Sequence, residues 1–402
     1  LRMALLEVDV SPWEMVFSLR RHPGGVQGRI LYHAELWDEG TMRGLGERYE
    51  RILRTAAADP GIPVSALPFE PFPRPAPERA APDPPPSSRP ADGGGAEIPA
   101  GIPRPSTAGA GLGDGVEPAV ARTCPQSFGQ QRFWFLDRMQ PGSVAYGISR
   151  AYLLAGPLRP DALRRALAEV VRRHESLRTV FRVVDGEPKQ IVQPPYPMTV
   201  EVIDARGPNG EPVSEDALRA RIREESMRPF DLAEGPLVRV HLIRVSEPDS
   251  VLLVNIHHIV TDGWSMPIVT REMDELYEAF ARGLPYPLKP LEVQYPDYSA
   301  WQREYLTGDT LRQQVDYWRG HLQGAPTLEL PTDRPRPPVL SYRGNIYRFV
   351  WPAALTEKVR AMAVEAGASM NMVIMAGFYL LLHRYSGQDD VVVGTLLGNR
   401  HR

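Results

Sequence analysis

Val251-Leu252-Leu253-Val254-Asn255-Ile256 runs without a break into His257-His258-Ile259-Val260-Thr261-Asp262-Gly263. The first six residues form a short, nearly continuous apolar run, which reads as a buried strand. Successive residues of a strand point to opposite faces. One histidine therefore looks into a given cavity while the other packs or hydrogen-bonds beneath it. Alternation alone leaves open which of His257 and His258 takes which place. The loop that follows can bring Asp262 back to accept a hydrogen bond or to pair with an arginine. Gly263 lets backbone approach closely and is a candidate to leave an N–H free for an oxyanion. A zinc site would need a third ligand at suitable spacing, and no Cys, Asp, Glu or His cluster supplies one.

Outward from this loop, residues 119–402 alternate helices and strands. Leu237 to Val245 and Ser250 to Ile256 read as one strand pair, Phe181 to Val184 and Pro188 to Val192 as another around the turn Asp185-Gly186. Ala162, Leu163, Ala166, Leu167, Val170 and Val171 keep helical spacing behind a cap at Pro160-Asp161, and Pro267 to Phe280 is a second amphipathic helix. The mixture predicts an α/β sandwich rather than a regular βαβ repeat. Fourteen of the 42 prolines fall in 68–118, beside Gly93-Gly94-Gly95 and a Gly/Ala run near 108–115. That composition cannot bury enough surface to offset its ordering entropy, so the segment reads as a disordered linker. The Gly109-Ala110-Gly111-Leu112-Gly113 run follows no strand and is not read as a nucleotide loop. Before the linker, 1–67 holds two strands about Pro23-Gly24-Gly25 and a helix over Thr41 to Ala56. Its core is thin and marginal alone.

The formal net charge of -3 gives no reason to expect nucleic acid or an anionic membrane as partner. The longest apolar stretch, Val373 to Leu382, is interrupted by Gly377 and too short to span a bilayer. The lone cysteine, Cys124, cannot form an internal disulfide, which predicts a cytoplasmic setting. Basic residues are nearly all arginine, with lysine only at Lys189, Lys289 and Lys358, a bias expected of a GC-rich bacterial genome. No signal peptide opens the chain, and it reads as a piece of something longer.

His257-His258-Ile259-Val260-Thr261-Asp262-Gly263, extended by Trp264-Ser265-Met266, resembles the HHxxxDG signature of condensation domains from nonribosomal peptide synthetases. Ser127-Phe128-Gly129-Gln130-Gln131-Arg132-Phe133-Trp134-Phe135-Leu136 resembles the opening motif of that family, and Pro141-Gly142-Ser143-Val144-Ala145-Tyr146 fits after it. Arg173-His174-Glu175-Ser176-Leu177-Arg178-Thr179-Val180-Phe181 resembles its second motif and Tyr295-Pro296-Asp297-Tyr298-Ser299-Ala300-Trp301 its fourth. Leu330-Pro331-Thr332-Asp333-Arg334-Pro335 and Gly387-Gln388-Asp389-Asp390 to Arg400 are family-like as well. Order and spacing agree over about 119–402.

The resemblance implies the chloramphenicol acetyltransferase-like fold: two α/β-sandwich lobes facing across a tunnel, the first over about 119–300 and the start of the second running to 402. It implies amide bond formation between a donor acyl or peptidyl thioester and an acceptor aminoacyl thioester. Both ride on 4′-phosphopantetheine arms of partner carrier domains, the donor upstream and the acceptor downstream, with an adenylation domain adjacent. No cofactor or metal is expected on the chain itself. His258 would position the attacking amine or take its proton, Gly263 would donate to the oxyanion, and Asp262 would pair with Arg178 to shape the loop. His257 would support the site, and Trp134 and Trp264 would pack. Residues 1–67, through the strand–turn–strand and Leu36-Trp37-Asp38, resemble the C-terminal tail of a preceding condensation-type domain. The second lobe is expected to be truncated, the tail is not expected to fill the gap, and the chain alone is expected to be inactive. Three rivals share the fold: an epimerisation domain, a heterocyclisation domain, which would replace the histidines by aspartates, and a non-catalytic recruitment platform.

Overall fold

A computed structural model describes residues 2–6, 14–68, 121–337 and 343–395. Apart from Pro68, the expected linker lies outside the described residues, as do the Gly109–Gly113 run and the end of the family-like segment after 395. The first elements are β1 (Arg2–Leu6), β2 (Met15–His22), β3 (Gly25–His33) and α1 (Glu39–Ala58). The middle of the chain holds β4 (Arg122–Pro125), α2 (Phe128–Met139), β5 (Gly147–Ala155), α3 (Pro160–Arg173), β6 (Thr179–Val184) and β7 (Glu187–Val192). It continues through β8 (Val200–Asp204), α4 (Glu215–Ser226), β9 (Val238–Arg244), β10 (Ser250–His257), α5 (Ser265–Arg282), α6 (Tyr295–Tyr305) and α7 (Gly308–His321). β11 (Gly344–Pro352), α8 (Ala353–Glu365) and α9 (Met370–Ser386) close the described chain.

The strand that decides the fold sits where its composition puts it. β10 is buried at every position and lies at the centre of a five-stranded sheet in the order β1-β5-β10-β9-β8. Helices cover both faces, which is why the strand does not alternate. On one face α3 and α5 pack Ala166, Leu167, Val170, Met273 and Leu276 against Leu242, Leu252, Val254 and Ile256. On the other, Ile222 of α4 packs with Ala151, Ile243, Val251 and Leu253. A second sheet, β4-β7-β6, carries the Asp185-Gly186 hairpin, whose two residues both have positive φ (53° and 79°), the geometry of a tight hairpin turn. Pro160 starts α3 at its first turn, and Arg159 rather than the Pro160-Asp161 pair holds the cap position. Proline suits that place because its missing N–H is one the helix start leaves unpaired anyway.

The third sheet, β11-β3-β2, joins the N-terminal region to the far end of the described chain. β3 pairs with β2 on one side and with β11 on the other, from Gly344 opposite His33 to Pro352 opposite Gly25. α1, α8 and α9 cover it, and Tyr32, Tyr49, Leu53, Trp351, Leu355, Val359 and Leu381 share one core. The thin core expected of 1–67 is therefore thickened by 344–386, and the stretch is divided: β1 pairs antiparallel with β5 in the first sheet, while 14–67 packs in the third. No single helix among the described residues is long and apolar enough to cross a membrane.

Candidate functional site

β10 delivers the two histidines to the edge of the first core. The N–H of His257 donates to Leu237 O just before β9 (3.0 Å), and that of His258 donates to Tyr146 O just before β5 (2.8 Å). The loop then turns at once, with Val260 N–H donating back to His257 O at 3.1 Å. His257 is 3% exposed, and its Nδ1 accepts the Ile259 N–H at 3.1 Å. Burial, with a smaller push from His258, lowers its pKa to about 3. It is a neutral ring that ties down the loop.

His258 is half-buried. Burial lowers its pKa as well, opposed by the carbonyls of His258 and Thr261 and by the Asp262 carboxylate. Its ring lies nearly parallel to Phe133 of α2, with centroids 5.1 Å apart and planes 23° from parallel. Phe133 also meets Tyr146 edge-on at 5.1 Å, and Phe230 meets His257 edge-on at 5.8 Å with Arg239 lying over it at 4.0 Å. Phe133 was legible only as one letter of the opening motif. Phe230 had no signal in the sequence beyond being an aromatic residue upstream of β9.

Asp262 caps α5. Its Oδ1 accepts from the N–H and the hydroxyl of Ser265 at 2.7 and 2.6 Å, and its carbonyl accepts from Ser265 and Met266. A carboxylate there satisfies a free helix N–H and faces the positive end of the helix dipole. The expected ion pair with Arg178 is not formed. Arg178 is the last residue of a 3-10 turn, Glu175–Arg178, and is held by Gln193 O and by Glu175 at 3.5 Å. It lines a cavity of about 580 Å³ with Tyr196, Met198, Arg239 and His241, a cavity whose lining includes neither His257 nor His258. Local partners on its own turn and on the strand end after β7 capture the guanidinium, and the helix start captures the carboxylate.

Gly263 is exposed, and a Cβ added there would meet nothing within 4 Å. The close backbone approach expected of it is absent, so space alone does not require glycine. Its N–H donates to no acceptor among the described residues, which leaves that donor available. Trp264 is 65% exposed and is not a packing residue, whereas Trp134 packs against the first core.

The motifs around the loop hold one another. Ser127 and Gln130 form a capping box on α2, and Ser127 Oγ meets Tyr295 Oη at 2.9 Å. Arg303 of α6 donates to Gln126 O and to Gln131. Gln294, the cap of α6, donates to Arg173 O and accepts from Glu175 N–H. Arg173 and His174 converge on the buried Glu272 of α5 at 3.0 and 2.7 Å. Four segments far apart in the chain thus brace one wall. Among the described residues no cluster of three His, Cys, Asp or Glu could hold a metal ion.

The family model described as "Condensation domain" matches residues 120–402. A linear gramicidin synthase of Brevibacillus parabrevis is 44% identical over 282 residues, covering 70% of this chain and 6% of that protein. Phosphinothricin tripeptide synthetase PhsC from Streptomyces viridochromogenes is 39% identical over 72% of this chain and 27% of its own length. The chain therefore spans a small part of the relatives it matches. Among solved structures, the X-domain in the complex of the X-domain and OxyB from teicoplanin biosynthesis aligns with TM-score 0.56 and 29% identity, over 69% of this chain and 61% of that one. The first condensation domain of the CDA synthetase aligns with TM-score 0.53 and 21% identity, over 67% and 64%, a likeness of fold. The architecture is the chloramphenicol acetyltransferase-like one of these neighbours. By the extent of the family match and the identity to these synthetases, the chain belongs to the condensation-domain family of nonribosomal peptide synthetases, whose general activity is amide bond formation beside carrier and adenylation domains.

Proposed function

We propose that this chain joins a donor acyl or peptidyl thioester to an acceptor aminoacyl thioester, each tethered by 4′-phosphopantetheine to a carrier domain. The acceptor amine attacks the donor carbonyl carbon. A C–N bond forms, the C–S bond breaks, and the departing thiolate takes up the proton that the amine loses. The observation that carries this reading is the state of His258: a half-buried imidazole, stacked on Phe133, at the end of a fully buried strand and kept neutral by burial. A neutral ring can hold the amine by its lone pair and receive its proton near pH 7. The open N–H of Gly263 is the donor offered to the tetrahedral oxyanion. His257 and Asp262 hold the loop, and Arg178 supports the neighbouring wall. Aligning two tethered substrates supplies much of the rate by proximity.

The likeness to an X-domain solved with OxyB favours a second reading, a platform that binds carrier or oxygenase without making an amide. One experiment separates them. The longer synthetase that contains this chain is given donor- and acceptor-loaded carriers, and the condensed product on the acceptor is measured. His258→Ala is expected to cut product by about 100-fold or more with an unchanged melting profile. Product near the wild-type level removes His258 from the chemistry. Carrier binding by the wild type with no amide formed supports the platform, and inversion at the substrate α-carbon without an amide supports epimerisation.

A further inference from the structure

The cavity of about 580 Å³ beside Arg178 lies between the edges of two sheets. β8 accompanies β9 only from Val200, opposite Val240, so among the described residues Val238 and Arg239 have no strand on that side. β6 is the outer strand of the sheet β4-β7-β6. Val180 and Arg182 line the cavity from β6, and Val238 and Arg239 line it from β9. The segment between β7 and β8 closes it and carries Pro194, Pro195 and Pro197, three prolines in four residues. Proline has no N–H to give to a ladder. This linker therefore cannot extend either sheet, and the gap between the edges stays open.

The walls are of two kinds. Leu177, Val180, Met198, Leu237, Val238 and Val240 make an apolar surface. Four arginines, Arg178, Arg182, Arg228 and Arg239, stand against two carboxylates, Glu201 and Glu234. Arg182 meets Glu234 at 3.2 Å, and Arg228 meets Glu225 at 3.0 Å and Glu201 at 3.8 Å. Arg178 meets Glu175 at 3.5 Å. Of the four, Arg239 alone has no carboxylate partner among the described residues. It is held by Pro229 O at 2.8 Å and by Arg228 O, with its guanidinium 4.0 Å over the Phe230 ring. Two carbonyls do not use up the five N–H donors of a guanidinium. Its Nε is buried without an acceptor, as is that of Arg178. Burial works against the charge of Arg239, and Arg228 beside it adds to the penalty. A half-buried cation short of acceptors costs free energy that a bound anion would offset.

A cavity of this size, mostly apolar with a few convergent polar groups, suits a small organic molecule. We propose that it binds a small organic anion, a carboxylate or a phosphate monoester on an apolar body. Arg239 takes the head group, since its planar fork matches both kinds of oxyanion. Val180, Met198 and Val238 cover the body. The site is separate from the histidine loop, whose two histidines are not in its lining. It goes beyond the acyl-transfer reading and does not rest on it.

The test titrates the longer synthetase that contains this chain with three probes that share one stem: octanoate, octyl phosphate and the neutral octanamide. Calorimetry should show at least one anion binding about tenfold or more tighter than the amide. The tighter of the two anions identifies the head group. Arg239→Met keeps an apolar stem over Phe230 and removes the charge, so it should weaken the anion by about tenfold or more and leave octanamide unchanged. Arg239→Lys, which keeps the charge but not the fork, should fall between. Thr199 lines the cavity from an exposed position, so Thr199→Trp crowds it without touching the core and should weaken all three probes. Anion binding that survives both Arg239→Met and Thr199→Trp overturns the proposal. Equal affinity for the anions and the amide does so too, as does the lack of saturable binding by any probe. Condensed product measured on the same protein reports on the acyl-transfer reading separately.

Discussion

The two main cores of this chain use the same materials and are wired in opposite ways. The first is contiguous: β5, α3, β9, β10 and α5 follow one another between residues 147 and 282 and fold onto themselves. The second gathers α1, β3, β11, α8 and α9 from the two ends, so that Tyr49 reaches a partner 325 residues away. Contacts between near neighbours cost little loop-closure entropy, while the second core must close a very long loop before any of its burial is gained. Specificity is achieved differently as well. In the first lobe polar motifs brace one another, whereas the second adds to its polar contacts glycines set against the side chains of the facing element.

Removing one large side chain from each core is the strongest way to break this contrast. Trp351 is 1% exposed and touches both pieces of the second core. Trp351→Ala should cost about 3–5 kcal/mol there. Amide hydrogen exchange should then speed up in β3 and β11 and stay slow in β10. Leu252→Ala, at a fully buried β10 position, should cost about 2–5 kcal/mol and show the reverse pattern. Uniform loss of protection in either variant would mean that the two cores unfold as one.

Acid sharpens the comparison through buried histidines. Among the described residues, the histidines whose pKa is pushed down by burial are His241, His257 and His258, all in the first lobe. His257 moves furthest, from an ordinary 6.5 to about 3. Below pH 6.5 the unfolded chain takes up a proton that the folded chain refuses. The stability this group contributes is complete above 6.5 and drains away as pH falls toward 3, at about 1.4 kcal/mol per unit and a few kcal/mol in all. Urea unfolding followed through the first core should show this slope between pH 6.5 and 4, and His257→Gln should flatten it. An unaltered slope in that variant would hand the acid sensitivity to carboxylates.

What could be read from the sequence follows the same division. The apolar run of β10, the helix of Ala162 to Val171 and the hairpin at Asp185-Gly186 are local patterns, and local physics decides them. His257 closes β10 and is 3% exposed, while His258 opens the turn that follows and is half-buried. The stacking of Phe133 on His258 joins residues from separate elements, and nothing in either stretch announces it. Gly28, Gly46 and Gly377 look like ordinary interruptions until the rings opposite them are known. The Asp262–Arg178 pair failed for a related reason. Two complementary charges in motifs of one site suggest a bond, but each side chain had a nearer partner that spacing alone did not reveal.

That failure yields the smallest and most discriminating effect. Asp262 binds Ser265 at the start of α5, and Asn can still accept that bond while losing the charge that favours the helix dipole. Asp262→Asn should therefore cost about 0.5–1 kcal/mol. Arg178→Met removes a guanidinium held by Glu175 and Gln193 O, with a cost of its own. If the two side chains do not meet, the double variant should equal the sum of the singles to within about 0.5 kcal/mol in urea titrations. A coupling above about 1 kcal/mol would restore the ion pair. It would then place Arg178 against the histidine loop rather than at the wall of the neighbouring cavity, and the loop would be braced from the second motif instead of by its own helix.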